Sequence, residues 1–188
     1  FQAEMPTIVG SKSYEKERQM KKHVLAEVHP MMTELVKKGI FTLADVQGEF
    51  ASNLNAVQKP EKNQVNLGKA TAHINRQIGI TKNNQRLCLD LRGVNACMPA
   101  EGKLVLPSYK TLAVQFNNCH CTQLDLCSMY WSIPLKYSDQ NKSNFWFDGQ
   151  LYKMERLIMG ARNSCFIAQR AMLLTFSQEN LEIFLKEK

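Results

Sequence analysis

The sequence predicts an α+β protein, and three observations carry that expectation. Residues 15–39, "EKERQMKKHVLAEVHPMMTELVKKG", set Val24, Val28, Leu35 and Val36 on a rough 3.6-residue period, as a helix with one apolar face requires. Residues 85–92 alternate apolar and polar side chains, the period of a half-buried strand. Residues 143–157, "SNFWFDGQLYKMERL", hold Asp148-Gly149 between two apolar-rich runs, which is a hairpin signal. Helices and strands do not alternate as a doubly wound sheet needs, so an antiparallel sheet with packed helices is expected.

Each element has its own signals. In the first helix Pro30 is expected to break or kink the run, and Gly39 to end it. "FTLADVQGEFASNLNAVQKPEKNQ" reads as irregular chain or short strand, with a turn at Pro60. "AHINRQIGITKNNQRLCLDLRGVN" reads as two strands around a polar turn. In the second of these, Leu87, Leu89 and Leu91 share one face, while Arg86, Cys88, Asp90 and Arg92 share the other. "MPAEGKLVLPS" is a loop, "YKTLAVQFNN" a short helix, and "CTQLDL" a strand that projects Asp125 away from its leucine layer. "SMYW" turns the chain and "SIPL" leads away. "NSCFIAQRAMLLTFS" is a helix capped by Asn163 or Ser164. "NLEIFLKEK" is ambiguous between helix and strand.

The chain has 188 residues, enough for one domain or two small subdomains on a shared core. No apolar run is long enough to span a bilayer and no signal peptide is evident, so an intracellular, unsecreted protein without a membrane partner is expected. The missing initiator Met suggests a piece cut from a longer chain. Of the six cysteines, Cys119-His120-Cys121 looks like half a metal site, but no second pair follows at zinc spacing, and reduced thiols are the plainer reading. The net charge of +7 is uneven: residues 51–100 carry seven basic and two acidic side chains. That block suits either a polyanion partner or a solvated lysine-rich surface.

Five stretches, in order, resemble the fingers and first part of the palm of a retroviral or LTR-retrotransposon reverse transcriptase. "MMTELVKKGIF" is similar to the family's helix ending in Lys-Gly-Ile-Ile, and "NAVQKP" to its finger strand. "RLCLDLRGVN" fits Arg-x-x-x-Asp-Leu-Arg-x-x-Asn. "LPSYKTLAVQFNNCHCTQLDLCSMYWSIPL" resembles the Leu-Pro loop, short helix and motif A strand. "FDGQLYKMERLIMGARNSCFIAQRAM" resembles the hairpin and the motif B helix. The resemblance implies an N-terminal extension and helix over 1–30, fingers over 31–105, and over 106–188 a partial palm that includes a fingers hairpin segment.

It also implies roles. Asp125 corresponds to the motif A aspartate that holds Mg²⁺ (Mn²⁺ as a substitute), with the Leu126 carbonyl as a further oxygen, because hard cations take oxygen ligands. Tyr130 corresponds to an aromatic gate that excludes a 2′-hydroxyl and so favours DNA synthesis over RNA synthesis. Arg86 and Lys82 correspond to fingers cations over the triphosphate, and Ser128, Met129 and Met159 complete the nucleotide set. Asp90, Arg92, Gly160 and Gln169 correspond to template contacts. The implied partners are a template–primer, a dNTP and further Pol segments (rest of the palm, thumb, RNase H).

Three departures stand out. Met159 replaces a glutamine and Cys165 a proline, and no Asp-Asp pair for the Tyr-x-Asp-Asp motif occurs anywhere in the chain. Alone, the chain is therefore expected to hold metal poorly. An unfinished palm sheet is expected to leave an open edge, filled by dimerisation or by another chain. The alternative reading is a non-catalytic relic that binds nucleic acid or protein.

Overall fold

The computed structural model describes residues 1–45, 48–58, 85–102, 107–120 and 125–177. It is built on one mixed sheet of six strands. The strands are β1 (Ser13–Tyr14), β2 (Phe41–Leu43), β3 (Phe50–Gln58), β4 (Gln85–Asp90), β5 (Phe145–Phe147) and β6 (Gln150–Met154). The helices are α1 (Lys22–Lys37), α2 (Arg92–Cys97), α3 (Tyr109–Gln115), α4 (Met129–Ser132), α5 (Tyr137–Gln140), continued by a 3₁₀ turn at Asn141–Ser143, and α6 (Ser164–Thr175).

Strand β3 is the organiser. It pairs antiparallel with β4 from Asn53↔Asp90 to Gln58↔Gln85. It pairs parallel with β1 at Ser13↔Phe50 and with β5 at Ser52↔Phe145. The two parallel pairs correct the expectation of an antiparallel sheet: they join segments far apart in sequence, which no local turn signal reports. Where irregular chain or short strand was expected, the three-residue β2 and the longer, nine-residue β3 form. The β3 pattern is obscured by Ser52 and Asn53, which are buried although polar.

Asn53 is buried because its side chain is satisfied. Its amide nitrogen donates to Glu15 Oε2 at 3.0 Å and to the Lys16 carbonyl at 3.1 Å, and its oxygen accepts from Arg18 N at 2.8 Å. Those partners lie on an N-terminal arm, residues 15–21, which runs irregularly along the sheet where the sequence suggested helix. Trp146 Nε1 also donates to the Glu15 carbonyl at 2.9 Å.

Helix α1 runs unbroken through Pro30, against expectation. Pro30 and Ala26, whose carbonyl the proline leaves unpaired, are both exposed, so water can take that bond, while Val28, Met32 and Leu35 bury the opposite face. Val36, expected in that face, is exposed. Gly39 ends the helix with φ +61°, a conformation that suits glycine.

The hairpin forms where expected. β5 and β6 pair antiparallel around Asp148 (φ 50°) and Gly149 (φ 72°), and positive φ at both positions is what a type I′ turn needs. Phe145, fully buried, sits at the centre of the core. Its ring meets Phe41 edge-on at 5.0 Å and stacks with Tyr152 at 5.9 Å. The first strand expected within residues 72–80, the Pro60 turn and the segment 180–188 lie outside the described residues.

Candidate functional site

Asp90 ends β4 with its side chain buried, and two guanidinium groups hold it. Arg92 approaches in a fork, Nε to Oδ1 at 2.8 Å and Nη2 to Oδ2 at 2.7 Å, and Arg18 Nη1 reaches Oδ2 at 3.0 Å. The Arg92 hydrogen bonds, then those of Arg18, overcome burial and hold the Asp90 carboxyl well below the usual carboxylate range. The strand does not continue to Arg92 as expected. Leu91 precedes α2, and the Asn95 N–H donates to the Leu91 carbonyl at 2.7 Å. Arg92 therefore stands exposed on the first turn of a helix rather than on the face of a strand.

Helix α2 in turn fixes the loop before α6. Asn95 Nδ2 donates to the Gly160 carbonyl at 3.0 Å, and its Oδ1 accepts from Arg162 N at 2.8 Å. Arg162 Nη1 donates to the Met98 carbonyl at 2.9 Å. Asn163 does not cap α6 with its side chain. Its amide instead donates to the Pro99 carbonyl and accepts from Glu101 N. Ser164 Oγ donates to the buried Ile158 carbonyl at 2.6 Å. Gly160 sits at φ +95°, a conformation that L side chains rarely adopt.

Asp90, Arg92 and Gly160 are thus gathered around the β4–α2 junction, with Asn95 as the clamp. Sequence reasoning assigned Asn95 no role, although it closes the Arg-x-x-x-Asp-Leu-Arg-x-x-Asn spacing. Arg18, Glu15 and Asn53 were also missed, because nothing local to the arm announces a partner on β3.

The loop places Cys165 at the second position of α6. Its Sγ lies 3.2 Å from the hydroxyl of Tyr130, which is on α4 with its ring half-buried against the core. Ser128, at φ 51°, turns the chain into α4, and Met129 also packs on the core. Asp125 and Leu126, just upstream, are exposed and not in a strand, and residues 121–124 lie outside the described residues. The expected strand at Asp125 is therefore absent at the two positions that can be described. Arg86 is exposed on β4 opposite Val57. Met159 is 60% exposed on the loop. Gln169 lies half-buried on α6, and Lys82 falls outside the described residues.

The chemistry of this arrangement is that of an open surface, not an enclosed cavity. Among the described residues no three His, Cys, Asp or Glu side chains cluster as a metal cage. Asp125 supplies one exposed carboxylate, which suits a Mg²⁺ that brings its other oxygens with a bound phosphate. The described cysteines Cys88, Cys97, Cys119, Cys127 and Cys165 are free thiols. No helix among the described residues is long and apolar enough to cross a membrane.

Solved structures similar to this chain include protease–reverse transcriptases. The selenomethionine-labelled CSH mutant of the Prototype Foamy Virus protease–reverse transcriptase superposes with a TM-score of 0.67 at 19% identity, over 92% of this chain and 20% of that one. A foamy viral protease–reverse transcriptase in complex with an RNA/DNA hybrid gives 0.63 at 17% identity, over 88% and 19%. One in complex with double-stranded DNA gives 0.63 at 16% identity, over 92% and 32%. The fold is reverse-transcriptase-like. The chain spans between about a fifth and a third of the length of these proteins. No family model and no curated protein matches the sequence.

Proposed function

We propose that the chain is the fingers and partial palm of an RNA-directed DNA polymerase, 31–105 forming the former and 106–188 the latter. The observation that carries this reading is the meeting of two motif pieces. Tyr130, five residues after Asp125, touches the loop Met159–Cys165 on a reverse-transcriptase-like fold. In this reading the exposed Asp125 carboxylate and the Leu126 carbonyl hold Mg²⁺, which would neutralise phosphate charge during transfer. Tyr130 bounds the sugar, with Ser128, Met129 and Met159 around it, and Arg86 and Lys82 take triphosphate oxygens. Arg92, exposed and already forked on Asp90, presents its remaining charge to a template strand, with Gly160 and Gln169 lining the same path. Further Pol segments would supply the second carboxylate source, and the activity belongs inside a cell or a virus-like particle.

The alternative, a binding module without catalysis, draws on one feature. The sequence holds no Asp-Asp pair, and among the described residues no three His, Cys, Asp or Glu side chains gather at Asp125.

Two measurements test these readings, and the second separates them. The chain is titrated with a labelled RNA/DNA hybrid at rising salt, and binding that weakens steeply with salt is expected of both. The chain is also exchanged for the corresponding segment of a foamy virus reverse transcriptase and assayed by primer extension on RNA with dNTPs and Mg²⁺. Extension that is abolished by Asp125→Asn establishes the polymerase reading. A folded but silent chimera that still binds hybrid favours the module, and no binding in either form defeats both.

A further inference from the structure

We infer that Cys165 is a positioning residue for Tyr130: its thiol, 3.2 Å from the phenol, holds the ring at one attitude, and through it sets preference for a deoxyribose over a ribose. The inference rests on the reading of this surface as a nucleotide site.

The geometry is built from both sides. The Cys165 backbone is fixed by a loop that α2 clamps through Asn95, that Asn163 ties to Pro99 and Glu101, and that Ser164 ties to Ile158. The Tyr130 backbone is fixed by α4, whose Met129, Tyr130 and Trp131 all pack on the core. With both backbones supported, the side chain keeps its χ1 and χ2 torsions. The phenol oxygen lies on the χ2 axis, so the Cys165 hydrogen bond restrains χ1 and with it where the ring stands. A proline at this position, as the family pattern would place there, has no polar side-chain atom to offer. The hydrogen bond to Cys165, and then burial, push the Tyr130 phenol up to about 12, so the ring stays neutral and presents a hydroxyl.

Cys165 is also exposed. Anything that removes its hydrogen, or adds bulk to sulfur, acts directly on the ring attitude. Sugar discrimination in this chain is thus placed under control of one accessible atom outside the gate itself.

The test compares wild type, Cys165→Ala and Cys165→Ser, each labelled with [¹³Cζ]tyrosine, with the Tyr130 signal assigned from Tyr130→Phe. At pH 7, below the ordinary thiol and tyrosine values, the Tyr130 ¹³Cζ signal should sit at a similar shift in wild type and Cys165→Ser and move in Cys165→Ala. The same shift in all three overturns the pairing. The same proteins are titrated with Mg-dATP and Mg-ATP. Cys165→Ala should narrow the dATP preference by about fivefold, the worth of one neutral hydrogen bond, and Cys165→Ser should restore it. An unchanged preference in Cys165→Ala overturns the positioning role. If wild type binds neither nucleotide, the site reading fails and takes the discrimination with it, while the tyrosine signal still reports separately on the hydrogen bond.

Discussion

Arg18 and Asp90 are 72 residues apart in the chain and 3.0 Å apart in space, Nη1 to Oδ2. Through this contact the arm closes over the end of β4, and the same carboxylate holds Arg92 at the start of α2. Asp90→Asn should weaken both contacts and cost about 2 kcal/mol, since hydrogen bonds to a buried charged group exceed neutral ones. The arm should then open. Trypsin should cut at Lys16, Arg18 or Lys21 well before the core in the variant, and not in wild type. Equal digestion of the two would show that the arm is held by Asn53 and Trp146 alone.

The same pair predicts a pH dependence. Asp90 has a folded-state pKa lowered chiefly by its Arg92 hydrogen bonds. A lowered folded value gives stability that is present above the unfolded-state value, about 3.9, and is lost as pH falls towards the folded one. Denaturant midpoints should therefore drop more steeply below about pH 4 in wild type than in Asp90→Asn. Parallel curves would remove Asp90 from acid unfolding.

Gly160→Ala tests the loop. An added Cβ would find open space, its nearest neighbour being Leu91 Cδ1 at 4.0 Å, so the cost is backbone strain at φ +95° and not a clash. That strain should lower stability by roughly 1–2 kcal/mol, read by urea unfolding. A neutral result would mean that the loop relaxes away from the Asn95 clamp.

Phe145→Ala should be the most damaging of these changes, costing about 3–5 kcal/mol, because a fully buried ring at the centre of the sheet leaves a cavity. Asp125→Asn should do the opposite, shifting stability by less than about 0.5 kcal/mol, as expected of an exposed side chain. Thermal unfolding of the two variants side by side checks both. A large loss from Asp125→Asn would give that carboxylate a structural duty.

What the sequence disclosed and what it hid divide along the range of the interactions. The β5–β6 hairpin was legible because Asp148-Gly149 carries its own backbone requirement. Helix α6 was legible from its apolar run, and the leucine face of β4 from strict alternation. Strand β3 was not legible, since Ser52 and Asn53 look exposed, and the partners that satisfy Asn53 come from the arm 35 residues away and more. The unbroken α1 was hidden because the sequence alone does not show that Pro30 and the freed Ala26 carbonyl fall on an exposed face, where water can take the lost bond. In the site, Tyr130 and Cys165 could each be singled out, one as a gate and the other as a departure from pattern. Only the packing of α4 on α6 shows that they touch.

The order of strands also sets a timetable for synthesis. As the chain leaves the ribosome, β3 emerges before β4, but its parallel neighbour β5 follows only after more than ninety further residues, since Ser52 lies beside Phe145. Until then the β5 side of β3 is without its neighbour, and the aromatic centre at Phe145 does not yet exist. Such non-local pairing is slow to close and leaves a nascent chain open to wrong partners. The arm and β4 can cover one side of β3 in the interval, because Ser13, Tyr14 and residues 85–90 are already made. The arm would then act first as a guard for the growing chain and only later as a brace for the finished one.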